Sequence, residues 1–324
     1  MAEITSDRAR NAPFVRLGPP SAASPVVLSV PHAGRDYSPL LLGASRLTRR
    51  HLESLEDRLV DRLIELALET GATAVIARRP RAEIDLNRDE REIDPAIIAP
   101  PPPARTVLPT ARTRGGLGLI PARITGAGPI WQQPIESGEL HRRITEIHRP
   151  YHAALAEALE AARGRYGLAI LLDCHSMPPR PERGSNQAEI IFGDLHGTTI
   201  APDLLEAAVR TTREAGFRSM CNVPYAGGYI TARHGRPASG VHALQIEIDR
   251  SLYLCRELRN PGKGFARTAR LLASLTAAIA GKAIEPPRTS PQNRKRPPRQ
   301  KTRWPRFREE RPEGRTRRRK GGIR

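Results

Sequence analysis

Short apolar runs alternate with helically spaced leucines and alanines from residue 26 to about residue 280. Val-Val-Leu-Ser-Val at 26–30 predicts a buried strand, and the leucines at 52, 55, 59, 63 and 66 predict one helix over 47–68. Gly71 would stop that helix, ahead of a short strand at 73–76. Residues 96–134, with four consecutive prolines at 100–103 and many glycines, predict a long loop of the kind that often carries function. A strong helix over 139–162 precedes an apolar strand at 168–172, and a further short strand is expected at 189–192. Helices at 202–215 and 265–280 flank an alternating strand at 242–248. Helices set between short apolar strands predict an α/β domain with a largely buried sheet, spanning 25–281 after a polar leader at 1–24.

Composition changes the picture only at the C-terminal end. Residues 282–324 hold 17 Lys/Arg and 4 Glu, a charge of +13 out of +19 for the whole chain. The body therefore needs no polyanionic partner. The tail has almost no aliphatic residues and is expected to be disordered, because it cannot bury enough apolar area to offset its ordering entropy. Two readings stand open for it: a solvated appendage, or a tether making nonspecific contact with a polyanion such as RNA or DNA. Cys174, Cys221 and Cys255 show neither CxxC spacing nor an even disulfide framework. With no secretory signal pattern and no run approaching the roughly 18 apolar residues of a membrane span, a cytoplasmic protein is expected.

Two histidines sit at the carboxyl ends of expected strands, where open α/β sheets place ligands: His32 in Val30-Pro31-His32-Ala33-Gly34 and His175 in Asp173-Cys174-His175-Ser176. Glu56-Asp57 and Asp61 follow on the first helix, where carboxylates one turn apart share a face. The competing reading of these acids is a solvated face paired with Arg58 or Arg62. Two imidazoles and one carboxylate would leave a fourth position for water on a tetrahedral zinc ion, the arrangement of hydrolytic zinc. Asp173 is either a support for a ligand or a turn residue. Asn87-Arg88 offers an amide and a guanidinium fork to a carboxylate, or is an ordinary surface pair. In Leu244-Gln245-Ile246-Glu247-Ile248-Asp249, alternation sends Gln245, Glu247 and Asp249 to one face. Glu247 is thereby a rigidly held candidate general base, unless this is a solvent-facing edge strand.

Seven segments together resemble the N-formylglutamate amidohydrolase family, relatives of the zinc carboxypeptidases and aspartoacylases. They are VPHAG at 30–34, ED-x-x-VDRL at 56–63, IDLNR at 84–88, H-x-x-YH at 148–152, LDCHS at 172–176, PYAGGYI at 224–230 and QIEI-x-R at 245–250. The resemblance covers about residues 25–275. It implies a single three-layer α/β domain with a mixed central sheet, phosphorylase/hydrolase-like or zinc carboxypeptidase-like. It implies hydrolysis of N-formyl-L-glutamate to L-glutamate and formate by zinc-activated water, as in one route of histidine degradation. By motif position His32, Asp57 and His175 would bind Zn2+ or another divalent metal, with Glu56 in reserve. Glu247 would be the base, Asn87 and Arg88 would hold a substrate carboxylate, and Gly228 and Tyr229 would belong to the substrate pocket.

Arg112, Arg114 and Arg123 on the long loop are candidates for a further anchor, and His148 and His152 read as supports or packing residues. The expected partner is a small N-acyl amino acid. The alternatives are a related zinc deacylase or carboxypeptidase-like hydrolase on another N-acyl amino acid or peptide, or a nucleic-acid-associated protein with a vestigial hydrolase body.

Overall fold

The structure, a computed structural model, describes residues 12–19, 21–179 and 187–285. Its central sheet contains β1 (Phe14–Leu17), β2 (Val26–Val30), β3 (Thr73–Ala77), β4 (Ala169–Met177), β5 (Ile190–Gly193), β6 (Ser219–Cys221) and β7 (Val241–Asp249). Their spatial order is β1-β3-β2-β4-β7-β5-β6. The four middle strands β3, β2, β4 and β7 are mutually parallel. β1 joins one edge antiparallel, β5 runs antiparallel to β7, and β6 is parallel to β5. The sheet is therefore mixed. β2 and β3 bury every side chain, the signature of parallel strands covered on both faces.

Helices cover the two faces. α1 (Val60–Leu63) and α2 (Glu65–Leu68) lie on one side, and α3 (Ser137–Arg143), α4 (Arg149–Tyr166) and the short α6 (Tyr229–His234) lie on the other. α5 (Pro202–Glu214) and α7 (Phe265–Ile284) complete the first side. Strand alternation assigns each residue to one of these cores. Val26, Leu28, Val30, Leu172, Cys174, Leu244, Ile246 and Ile248 pack with α1, α2, α5 and α7. Val27, Leu171 and Ala243 pack with α4 on the opposite side. Asp173 and His175 continue the parity of Leu171, and Gln245 and Glu247 that of Ala243, so all four polar side chains emerge on the α4 face. The register pairs Asp173 with Gln245 and His175 with Glu247 across adjacent strands.

Three expectations need correction. The helix over 47–68 is broken into Arg49–Leu52, a 3-10 turn Glu53–Leu55, and then α1 and α2. Glu56 is extended and Leu59 is left-handed, with φ of 63°. The cause is tertiary: the Asp57 backbone N–H donates to the His32 carbonyl at 2.9 Å, which pulls the chain out of helical register. The strand expected to end at Leu172 runs on to Met177, so His175 sits within β4 and not beyond its end. Its polar residues are held in the ladder by β7 on one side, an influence no local propensity records. The helix over 139–162 is two helices joined by a π-helical turn, Ile144–His148. The first strand, β1, was not legible as one, since its side chains are largely exposed.

The expected basic tail lies, from Pro286 onward, outside the described residues. Among the described residues no helix is long and apolar enough to cross a membrane.

The turn after β2 has one strict steric demand. A Cβ on Gly34 would collide with the backbone of Arg78 and Arg79, including the Arg79 carbonyl. Gly34→Ala is expected to lower stability by about 1–3 kcal/mol, the usual range for an overpacked site, measured by urea unfolding. Unchanged stability would show that the turn is not packed against Arg79.

Candidate active site

Three strands and one interrupted helix bring four of the expected residues to one cavity of about 550 Å3. His32 enters from the turn after β2, Asp57 from the helix break, His175 from β4 and Glu247 from β7. Their arrangement is specific. His32 Nδ1 and His175 Nδ1 both face the same oxygen, Asp57 Oδ2, at 3.2 and 2.9 Å. His32, Asp57 and His175 are all buried, and one ligand atom from each lies within 4.8 Å of the others. Glu56, the reserve carboxylate, turns away to accept from Tyr37 and Arg58, both at 2.8 Å. Asp61 does not converge with Asp57 either: its carboxylate is held by the two terminal nitrogens of Arg35 at 2.9 and 2.6 Å.

Each imidazole is backed by a further carboxylate. His32 Nε2 lies 2.7 Å from Asp85 Oδ1, and His175 Nε2 lies 2.9 Å from Asp173 Oδ2. Such partners hold the proton on Nε2 and leave a lone pair on Nδ1. Two Nδ1 lone pairs and a carboxylate oxygen then point at one another, which is repulsive unless a proton or a cation sits between them. The donor set, two nitrogens and one oxygen with supporting carboxylates, fits a divalent metal such as zinc. Without a cation a proton takes that place, as the acidities show. Burial works to raise the Asp57 pKa, yet the bonds from His175 and His32 hold it well below the ordinary range. Burial works to lower the His175 pKa, but Asp173, Asp57 and Glu247 carry it well above normal.

The supports extend outward. The Ser29 hydroxyl donates to Asp173 at 2.8 Å and lies 2.9 Å from the hydroxyl of Tyr151 on α4. Asp85 accepts from the Asn87 backbone at 2.9 Å and pairs with Arg81 at 2.9 Å. Arg250 reaches Asp57 Oδ1 at 3.1 Å and Ser176 at 3.1 Å. Asp85 and Arg250 lie in the IDLNR and QIEI-x-R segments, where local spacing marks neither of them as a support.

Glu247 faces the cavity and accepts from Gln245 Nε2 at 2.9 Å. Because β7 lies between β4 and β5, the edge-strand reading does not hold. Burial pushes the Glu247 carboxyl up to about 7, with His175 pulling downward and Asp57 adding to the rise.

Asn87 and Arg88 both line the cavity. The Asn87 amide oxygen accepts from the Ile230 backbone at 2.8 Å, while its nitrogen lies 3.2 Å from His175 Nε2. Arg88 donates to the carbonyls of Leu117 and Asn87 at 2.8 and 2.7 Å. Burial lowers its pKa to about 10, and the like charges of Arg81 and Arg112 contribute, against the nearby Asp85.

Gly228 and Tyr229 are not among the residues lining the cavity. Gly228 packs directly on the Asn87 side chain, where a Cβ would overlap the amide. Tyr229 begins α6 and turns the other way: its ring lies against His148 and His152, and its hydroxyl accepts from Arg233 at 2.7 Å. Tyr225 of the same motif lines the cavity instead. His148 and His152 sit behind the site, with Nε2 atoms 2.9 and 3.0 Å from the carbonyls of Arg88 and Leu86, so they brace the segment that carries Asn87 and Arg88. Of the loop arginines, Arg112 and Arg123 line the cavity, and Arg114 does not.

Comparisons with known proteins agree with this picture. The family model of N-formylglutamate amidohydrolase matches residues 24–254. The chain is similar to the N-formylglutamate deformylase of Pseudomonas putida, with 30% identity over 235 residues covering 71% of this chain and 82% of that protein. It is also similar to the crystal structure of an N-formylglutamate amidohydrolase from Ralstonia eutropha JMP134. That match has 37% identity and a TM-score of 0.77, covering 84% of this chain and 98% of the other. A structure of the gene product Atu2144 from Agrobacterium tumefaciens, 19% identical with a TM-score of 0.61 over 86% of this chain and 96% of that one, shares the fold. With the family model spanning well over half of its length, the chain belongs to the N-formylglutamate amidohydrolase family.

Proposed function

We propose that this protein is a metal-dependent amidohydrolase that cleaves N-formyl-L-glutamate to L-glutamate and formate. The observation that carries the reading is the convergence of His32, Asp57 and His175 beside Glu247 in a cavity of a chain of this family. The charge of the cavity supports the substrate class. Five arginines, Arg81, Arg88, Arg112, Arg123 and Arg250, line it, and N-formylglutamate is a dicarboxylate.

In this reading His32, Asp57 and His175 hold a divalent ion, zinc by the character of the donors. When bound there, such an ion supplies an acidified water and a positive charge for the carbonyl oxygen. Asp85 and Asp173 fix the tautomers of the two imidazoles through Nε2. Glu247 accepts a proton from the attacking water and returns it to the nitrogen of the departing glutamate, which leaves as the amine. Burial gives its carboxyl the elevated affinity for a proton that this shuttle requires. Asn87 and Arg88 hold a carboxylate of the substrate, whose charge would relieve the crowding of cations around Arg88. His148 and His152 keep the backbone of residues 86–88 in place for that contact. Gly228 contributes by letting the 224–230 segment close onto Asn87, and Tyr229 by packing against the bracing histidines.

Formate release from N-formyl-L-glutamate tests the proposal, beside N-acetylaspartate and short peptides. Turnover is expected for the formyl substrate, with loss on chelation and recovery on adding zinc. Glu247→Gln is expected to lower kcat by about 100- to 10,000-fold, the usual contribution of a general base, while metal content stays at the wild-type level. Undiminished turnover in that variant would remove Glu247 from the reaction.

The pH dependence has a definite sign. Glu247 must be ionised to accept a proton. Burial raises its pKa to about 7 in the absence of a cation, and a cation held by the triad would offset part of that rise. kcat/KM should therefore fall toward acid pH on a limb between that value and the ordinary glutamate value of about 4.3. Turnover that rises toward acid pH through this range would contradict Glu247 as the ionised base.

A further inference from the structure

We propose that Arg112 and Arg123 form a second anion subsite in the cavity, which takes the side-chain carboxylate and restricts the enzyme to N-acyl amino acids with an acidic side chain. The inference deepens the functional reading above and rests on it for the identity of the substrate.

The five cavity arginines are not equivalent. Arg81 is paired with Asp85 at 2.9 Å, and Arg250 with Asp57 at 3.1 Å. Arg88 gives its Nε and one Nη to backbone carbonyls and lies 3.5 Å from Asp85 with the other. Arg81 is thus committed to Asp85 behind the metal triad and Arg250 to Asp57 within it, while Arg88 keeps only a loose approach to Asp85. Arg112 and Arg123 differ: among the described residues neither forms an ion pair with an acid. The Arg112 contact is a long hydrogen bond of 3.3 Å to the Gly227 carbonyl, which leaves the charge uncompensated.

Both side chains are set by local structure. Arg112 belongs to the short helix Ala111–Arg114, which is fixed at its start by reciprocal bonds between Thr110 and Thr113 of 2.8 and 3.2 Å. Arg123 leaves the two-residue strand Arg123–Ile124, and its stem crosses Gly116 where any Cβ would overlap it. Gly116 has φ of 81°, and its carbonyl accepts from the backbone of Ala122 at 2.9 Å. The aliphatic part of Arg123 therefore lies against Gly116, and the residue, though exposed overall, lines the cavity.

A substrate with two carboxylates needs two cationic contacts. If Asn87 and Arg88 take one, the remaining charge falls to the pair not already neutralised by Asp57 and Asp85. A neutral isostere lacks that contact. The subsite then discriminates through charge-assisted hydrogen bonds that only the acid can form, because both arginines are solvent-exposed and cost little when left unpaired.

The test reads binding and turnover separately. Calorimetry on the zinc-loaded full chain in the Glu247→Gln background compares N-formyl-L-glutamate with N-formyl-L-glutamine. The parent is expected to prefer the acid by about ten- to a hundredfold, the scale of charge-assisted hydrogen bonds. Adding Arg112→Gln and Arg123→Gln should remove at least about tenfold of that preference, and Arg114→Gln, on the same short helix but off the cavity wall, should leave it unchanged. A parent without preference, a double variant that keeps all of it, or an equal loss in Arg114→Gln overturns the subsite. Wild-type formate release decides the reaction independently: arginine-dependent binding of the acid without turnover would keep the subsite and defeat the proposed hydrolysis.

Discussion

The structure depends on one electrostatic constraint: two buried imidazoles turn toward a single carboxylate oxygen while two other carboxylates hold them from behind. Asp57, Asp85 and Asp173 are almost wholly buried, at 2%, 0% and 0% exposure. Burying one unpaired ion costs several kcal/mol, and removing one partner of a buried pair typically costs about 3–5 kcal/mol. The cluster is affordable only as a closed set, with His32, His175, Arg81 and Arg250 all in place. That demand explains local features that look unfavourable alone, such as the left-handed Leu59 and the polar stretch carried through a buried strand.

The scaffold meets the demand by division of labour. One face of the sheet is apolar over most of its area and packs on α1, α2, α5 and α7, with Ser176 and His242 the polar residues of that parity on β4 and β7. The other face gives up its apolar character toward the carboxyl ends of β4 and β7, where Asp173, His175, Gln245 and Glu247 stand side by side through parallel register. α4 then contributes Tyr151 to the Ser29–Asp173 link and His152 to the Leu86 carbonyl. A helix whose inner face mixes alanine, leucine, tyrosine and histidine thus packs the core and braces the site at once.

Much of this was legible in the sequence, and the failures have physical reasons. Alternation over 242–248 identifies the face of Glu247, because a strand's period is two and its apolar side is unambiguous. His32 is legible as a polar residue just after an apolar run that becomes a fully buried strand. The break between Leu55 and Val60 was hidden, since five leucines kept helical spacing across it and the cause is a hydrogen bond to a residue 25 positions away. The extension of β4 was hidden for a similar reason: polar residues enter a buried strand only when partners from elsewhere satisfy them. Tyr229 looked like a pocket residue because its motif is, but the glycine turn before it sends Tyr225 to the cavity and Tyr229 to the histidines. The supporting role of Asp85 follows from spatial pairing alone, which no spacing encodes.

The most direct test of the central claim is X-ray absorption at the zinc edge on the metal-loaded protein, compared with His32→Ala and His175→Ala. Two imidazole nitrogens with a carboxylate oxygen in the first coordination sphere, and one imidazole fewer in each variant, is the result this arrangement predicts. A zinc environment rich in sulfur, or one that neither substitution alters, would contradict it.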